Sequence, residues 1–243
     1  MKRILSFCLY VLCQIVYADG PPLTIATDLY SPPFVISGGQ KQIFGFDIEM
    51  MESICTIMKR TCVYKRMSFE KILPAVESGL VDVGLGSITI TLERAQHVHF
   101  SLPYLLSYAQ FIGTADQQSK DFDIHTLKNK TVAVQEGTVF QKAIQEMDPN
   151  TISFESYPTL TTLIGALVNK QVDIGILDAA AAKYWQSQTD EQLVTIGQPF
   201  LYGNGFGIAV NNNKVELLNS INNALLQYQA NGQFKQNYMT YIE

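Results

Sequence analysis

Charge is scarce in this chain of 243 residues: Asp, Glu, Lys and Arg together make up 16%, where an average soluble domain carries about 25%. Acids outnumber bases, 22 to 17, for a net charge of −5. No basic stripe able to neutralise phosphates is visible, which excludes nucleic acid as a partner. Catalytic signatures are lacking as well. G-x-S-x-G, H-E-x-x-H and G-x-G-x-x-G do not occur, and Gly84-x-Gly86-Ser87 has the spacing of none of them. Cysteine is limited to four residues, and long apolar runs to one, near the start. What is abundant is ordinary: 47% hydrophobic residues, the share of a globular domain, which excludes disorder, collagen and coiled coil.

Lys2 and Arg3, the apolar run from Ile4 to Val16, and small Ala18 before Asp19 read as a secretory signal over residues 1–18. The run is shorter than the ~20 residues a spanning helix needs, and neither Cys8 nor Cys13 follows the small residue that a lipoprotein cleavage site requires. The expected product is exported and soluble. Its net charge becomes −7, because Lys2 and Arg3 leave and no acid does. In an oxidising compartment the remaining pair, Cys55 and Cys62 in C-x6-C spacing, most simply forms one disulfide. A two-cysteine metal site lacks partners, since His97, His99 and Asp82 are not at ligand spacing. No metal, cofactor or catalytic residue is expected.

Strand and helix signals alternate, which predicts an α/β fold. Leu23 to Ala26, Val81 to Leu85, Lys130 to Val134 and Val172 to Leu177 read as strands; Phe46 to Lys59, Thr138 to Glu146, Leu160 to Asn169 and Val215 to Tyr228 read as helices. Two segments 91 residues apart resemble each other, with Ala75/Ala166, Val81/Val172, Asp82/Asp173 and Gly84/Gly175 in register. Two copies predict two lobes of one topology. The Gly-rich stretch after Pro199 is too short for a third domain. It predicts a return to the first lobe, with crossings near Ser107 to Gln110 and Pro199 to Asn204.

Ligands of open α/β sheets bind beyond the carboxyl ends of strands, and those positions carry the informative residues. Asp28 ends the first strand. Ser87-Ile88-Thr89 follows the strand of the first repeat, with Arg94 a few positions on, either an anion site or ordinary capping with a surface arginine; motif chemistry leaves both open. Gln135 and the Gly137-Thr138 turn precede a helix whose free amides suit an anion. Asp178 is either a helix cap or the counter-charge for a ligand cation.

The ordered set Asp28...Pro33-Phe34, Gly45-Phe-Asp47-Ile48, Phe69-x4-Pro74, Thr89-Ile-Thr-x-Glu-Arg94, Phe100-Ser-x-Pro-Tyr104, Val134-Gln-x-Gly-Thr138 and Val172-Asp-x5-Asp178 resembles the periplasmic polar amino acid binding proteins of ABC importers, nearest the lysine/arginine/ornithine- and histidine-binding members. The resemblance covers nearly the whole chain. It implies a two-lobed periplasmic binding protein fold (type II) with two hinge crossings: residues 19–107 plus 204–243 in one lobe and 111–199 inserted as the other. It implies a monomer in the periplasm of a Gram-negative-type bacterium, closing on an L-amino acid and delivering it to an inner-membrane permease. Arg94 would grip the α-carboxylate with the amides of Thr89 and Val139, beside Thr138. Asp178, Thr89 and the Ser87 carbonyl would hold the α-ammonium. Ile88 lies between the latter two in the contact run. Phe69 would stack on the side chain, and Asp28, with Asp47 nearby, would meet its distal end, favouring a cation unless Lys41 or Lys71 neutralises them.

Departures bear on selectivity. Ser31 stands where the family carries an aromatic residue, with Tyr30 one place early; Val139 replaces a hydroxyl residue; Gln135 replaces the aliphatic residue of lysine binders. The expected ligand is therefore arginine, then lysine or ornithine, with glutamine as the alternative. A dehydratase or a sensory module of the same fold are the rival classes.

Overall fold

The computed structural model describes residues 20–39, 42–118, 122–147 and 152–243. The expected signal over residues 1–18, with Cys8 and Cys13, and also Lys41, lie outside the described residues. The first strand, β1 (Leu23–Asp28), is followed by the short pair β2 (Ile36–Ser37) and β3 (Ile43–Phe44), then helix α1 (Phe46–Ile57). Gly45 caps α1 at φ 120°, where a β-carbon would come within 2.4 Å of the Phe34 carbonyl oxygen, so glycine is required by both conformation and space. Asp47 and Glu49 in the first turn complement the helix dipole. Phe46, Met50, Met51 and Ile54 are fully buried against the sheet.

The chain continues through β4 (Cys62–Met67), α2 (Ile72–Glu77), β5 (Val83–Leu85) and β6 (His99–Phe100), then crosses on β7 (Tyr108–Thr114). The second lobe comprises β8 (Thr131–Gln135), α3 (Phe140–Met147), β9 (Ser153–Tyr157), α4 (Leu160–Val168), β10 (Ile174–Asp178), α5 (Ala179–Gln188) and β11 (Leu193–Leu201). The return adds β12 (Ala209–Val210), α6 (Val215–Ala230) and α7 (Gln233–Tyr241). The two five-stranded sheets run in the orders β4-β1-β5-β12-β6 and β11-β7-β10-β8-β9. Within each, three strands pair in parallel and a crossing-side strand, β12 or β7, joins antiparallel. Apolar clusters cover both faces of both sheets. This is the two-lobed α/β fold.

The repeat has a structural meaning. Asp82 accepts from the Thr24 amide at 2.7 Å and Asp173 from the Thr131 amide at 2.7 Å, so each aspartate ties the start of one strand to its parallel neighbour. Lys214 pairs with Asp82, and Lys130 with Asp173 at 3.6 Å. A β-carbon at Gly84 would lie 2.7 Å from Ile72, and one at Gly175 2.8 Å from Leu167. Both glycines let a helix lie directly on its strand.

The two crossings run side by side. β7 pairs antiparallel with β11, with a register shift between Ile196 and Phe200, and the Tyr202 amide donates to the Ser107 carbonyl at 3.1 Å. Strands β4 and β9, at the sheet edges, are not signalled by the sequence, because their polar, half-exposed segments lack a hydrophobic run; α7 is not signalled either, and of α5 only its start, in the cap reading of Asp178. Val81 and Val172 sit just before their strands rather than in them.

Cys55 in α1 is bonded to Cys62 at the start of β4. Closing so short a loop restricts the unfolded chain by about 2 kcal/mol. Replacing both cysteines by alanine is expected to lower the unfolding free energy from urea denaturation by about 2 kcal/mol with the native circular dichroism spectrum retained; an unchanged free energy would show the bond to be dispensable.

Candidate functional site

The carboxyl ends of four strands converge where the lobes meet. β1 ends at Asp28, β8 at Gln135 and β10 at Asp178, while β5 leads into Gly86 and Ser87. Ser87 adopts a left-handed conformation, φ 45°, which is costly for a residue with a β-carbon. Its amide donates to Asp47 Oδ2 at 2.7 Å, and its hydroxyl donates across the cleft to Asp178 Oδ2 at 2.8 Å. Arg94 also spans the lobes. Its guanidinium donates to the carbonyl of Thr89 at 2.8 Å on its own side and to that of Gly137 at 2.7 Å on the other, with its carbon centre 5.9 Å above the Phe69 ring. Gln135 Nε2 reaches Asp28 Oδ2 at 3.1 Å.

Ser31, Phe69, Ser87, Thr89, Arg94, Gln135, Thr138, Val139 and Asp178 line one cavity between the lobes, together with apolar residues of the second lobe such as Phe140, Leu160 and Ala181. The last three escaped sequence reasoning; the only available signal is their position in the first turns of helices that follow strands. Three expected contacts are not brought to the wall. Ile88 is fully buried in the lobe-one core, because the chain turns between Ser87 and Thr89. Asp47 is fully buried one layer further back, where it accepts from the Ser87 amide and from the Tyr104 hydroxyl, the latter at 3.0 Å. Asp28 lies behind Gln135 and also accepts from the Leu29 amide at 2.7 Å.

The lobes touch outside the cavity too. Lys142 meets Glu93 at 2.5 Å on the exposed rim, a pair of small energetic weight. Tyr30 turns away from Ser31 towards α5, its hydroxyl 3.1 Å from that of Tyr184 and its ring edge-on to Trp185 at 6.1 Å. The aromatic wall therefore sits one residue early and seals the rim, leaving small Ser31 at the cavity. His97 meets Glu77 at 2.8 Å, and no group of three or more His, Cys, Asp or Glu that could hold a metal is found among the described residues.

Burial dominates the electrostatics. It pushes the Asp178 carboxyl up to about 7 against the Ser87 hydrogen bond, with the charge of Asp47 adding to the rise and Arg94 opposing it. Burial also raises Asp28 to about 6 despite Gln135 and Leu29, and Asp47 to about 6 despite Ser87 and Tyr104. Burial lowers Arg94 to about 10, although Asp178 pulls it back. Three buried carboxyls answered by Arg94 and, at Asp28 alone, by the exposed Arg66 are short of positive charge.

Two α/β lobes of one topology, joined by two adjacent crossings and meeting around a polar cavity, define a binding protein of the two-lobed class. The description "bacterial extracellular solute-binding proteins, family 3" matches residues 23–243, and the chain belongs to that family. It is 31% identical over 210 residues, 84% of either chain, to ABC transporter arginine-binding protein 1 of Escherichia coli K12. Among solved structures it is similar to an arginine 3rd transport system periplasmic binding protein from Legionella pneumophila, at 31% identity and TM-score 0.84, covering 91% of this chain and 100% of that one. An ancestral arginine-binding protein bound to arginine gives a TM-score of 0.85 at 26% identity, covering 93% and 100%. No helix among the described residues is long and apolar enough to cross a membrane.

The raised carboxyls carry a linkage consequence. Asp178 titrates near 3.8 when unfolded and near 7 when folded, so between those values the folded state binds more protons and its contribution to stability is lost as pH rises. The melting temperature of Asp178→Asn relative to wild type is expected to be higher at pH 7.5 than at pH 4.5, measured without added amino acid. An equal difference at both values would mean that Asp178 ionises normally.

Proposed function

We propose that this chain is the substrate-binding component of an ABC amino acid importer and closes on a basic L-amino acid, arginine first and lysine or ornithine next. One observation carries the reading: buried Asp28, Asp47 and Asp178 face Arg94 in the cavity, with Arg66 acting on Asp28 from the exposed side, a shortage of positive charge that a ligand with two positive groups and one negative group reduces. In this reading Arg94 and the amides of Thr89 and Val139 receive the α-carboxylate. Asp178 with Thr89 receives the α-ammonium, Phe69 lies along the side chain, and Gln135, with the charge of Asp28 behind it, meets its distal end. The arginine-binding names of the relatives above support the same choice.

Closure follows from differential contact. Arg94 belongs to the first lobe and Asp178 to the second, so a zwitterion held by both favours the closed form by its extra affinity for that form. The moving bodies are residues 19–107 with 204–243, and 111–199. The closed monomer, exported to the periplasm, is then what an inner-membrane permease recognises. Glutamine is the second reading, because Gln135 already donates to Asp28, and a carboxylate so satisfied also accepts a neutral amide.

A thermal-shift screen of the twenty amino acids with ornithine and citrulline tests the ligand, since one that binds only the native state adds about 2.7 kcal/mol of stability at a hundred times its Kd and so raises the melting temperature. Arginine is expected to give the largest shift. A shift with glutamine alone would overturn the cationic reading, and turnover of a cyclohexadienyl acid would replace binding with catalysis. In calorimetry, Arg94→Ala is expected to weaken binding roughly a hundredfold or more, as loss of a buried charged partner does, while unchanged affinity would sink the assignment of Arg94.

A further inference from the structure

Asp47 is the buried acid that the cavity does not use directly. It has no exposed surface, sits in the first turn of α1, and places Oδ2 between two donors, the Ser87 amide at 2.7 Å and the Tyr104 hydroxyl at 3.0 Å. Its Oδ1 makes no well-formed hydrogen bond, although the nearby Gly86 amide also helps to hold the carboxyl ionised. The peptide it holds is the left-handed one at Ser87, whose hydroxyl meets Asp178 at 2.8 Å. A continuous path therefore runs from Tyr104 through Asp47 and Ser87 to the carboxylate of the opposite lobe.

We propose that Asp47 is the positioning residue of the ammonium site: it fixes the left-handed Ser87 against Asp178 and stands as a second carboxylate behind the one that the ligand touches. The inference rests on the ammonium lying at Asp178, as proposed above. The charge of Asp47 is felt by Tyr104 before the crossing, Tyr64 on β4, Tyr228 on α6 and Asp178 in the second lobe, and Glu49 on its own helix acts on the same Tyr64 and Tyr228, while Arg94 acts on Asp178. No cation is among the groups that act on Asp47 itself. A positive group entering at Asp178 is attracted by both carboxylates, whereas the charge of Asp47 holds Asp178 protonated to a higher pH than it would otherwise reach.

These effects have opposite signs at the two ends of a pH profile, which separates positioning with charge from simple structural support. The test is calorimetry of L-arginine, with L-glutamine in parallel, on wild type and Asp47→Asn from pH 4.5 to 8. Asparagine keeps an acceptor for Ser87 and Tyr104 but carries no charge. The variant is expected to bind roughly tenfold more weakly on the neutral plateau, the scale of one lost charge a few ångströms away in a partly shielded site, and its loss of affinity on acidification should begin at lower pH. A loss by the same factor at every pH, or no loss, would overturn the proposal. Should Asp47→Asn not fold, Tyr104→Phe removes one donor from the same carboxylate, and the same two changes are expected with smaller size; an unaltered profile there overturns it equally. If neither amino acid binds wild type, the function proposed above falls and this inference with it, a result distinct from any difference between variants.

Discussion

The hydrogen bond from the Ser87 hydroxyl to Asp178 across the cleft is the contact around which the site is arranged. It requires a left-handed Ser87, which requires a buried acceptor beneath it, which in turn calls for an acid in the first turn of α1, where the dipole offsets part of its burial. It also requires Asp178 at the end of β10, hence a second sheet whose strand ends face the first. The electrostatic surplus of the cavity is a by-product of this arrangement. Two carboxylates are brought close by backbone geometry, a third ends β1, and the cations that answer them are Arg94 in the cavity and Arg66 outside it, beside Asp28.

Arg94 behaves in the complementary way. Its guanidinium is fixed by carbonyls on both lobes, and five donors leave it capacity to hold a carboxylate as well. Cation and anion of the site are thus anchored on opposite lobes, and each already reaches across. The rim contacts, Tyr30 with Tyr184 and Glu93 with Lys142, add enclosure more than energy, since exposed pairs of this sort are worth little.

Much of the fold was legible because buried strands and their following helices leave strong local patterns: the repeat at Asp82 and Asp173 announced two lobes of one topology. The edge strands β4 and β9 were not legible, since half-exposed strands mix polar and apolar residues without a clear period. At the site, strand ends drew attention to Asp178, Ser87 and Gln135, but position alone left Asp178 open between a helix cap and a ligand contact, and it was the family resemblance that favoured the contact. Asp47 and Ile88 entered through the resemblance, which gives position along the chain but not the depth of a side chain, and the structure buries both behind the cavity wall. The shift of the aromatic from 31 to 30 was visible as a departure, but that Tyr30 packs on α5 depends on the lobe opposite, which no local pattern encodes.

The stitches that open the parallel strands, Asp82 on Thr24 and Asp173 on Thr131, sit at the ends of the strands away from the cleft. The structural fastening of each lobe and its chemistry therefore occupy opposite edges of the same sheet. Substitutions at the cleft edge leave the fastening untouched, so selection can change what such a protein recognises, one residue at a time, without first having to rescue its folding.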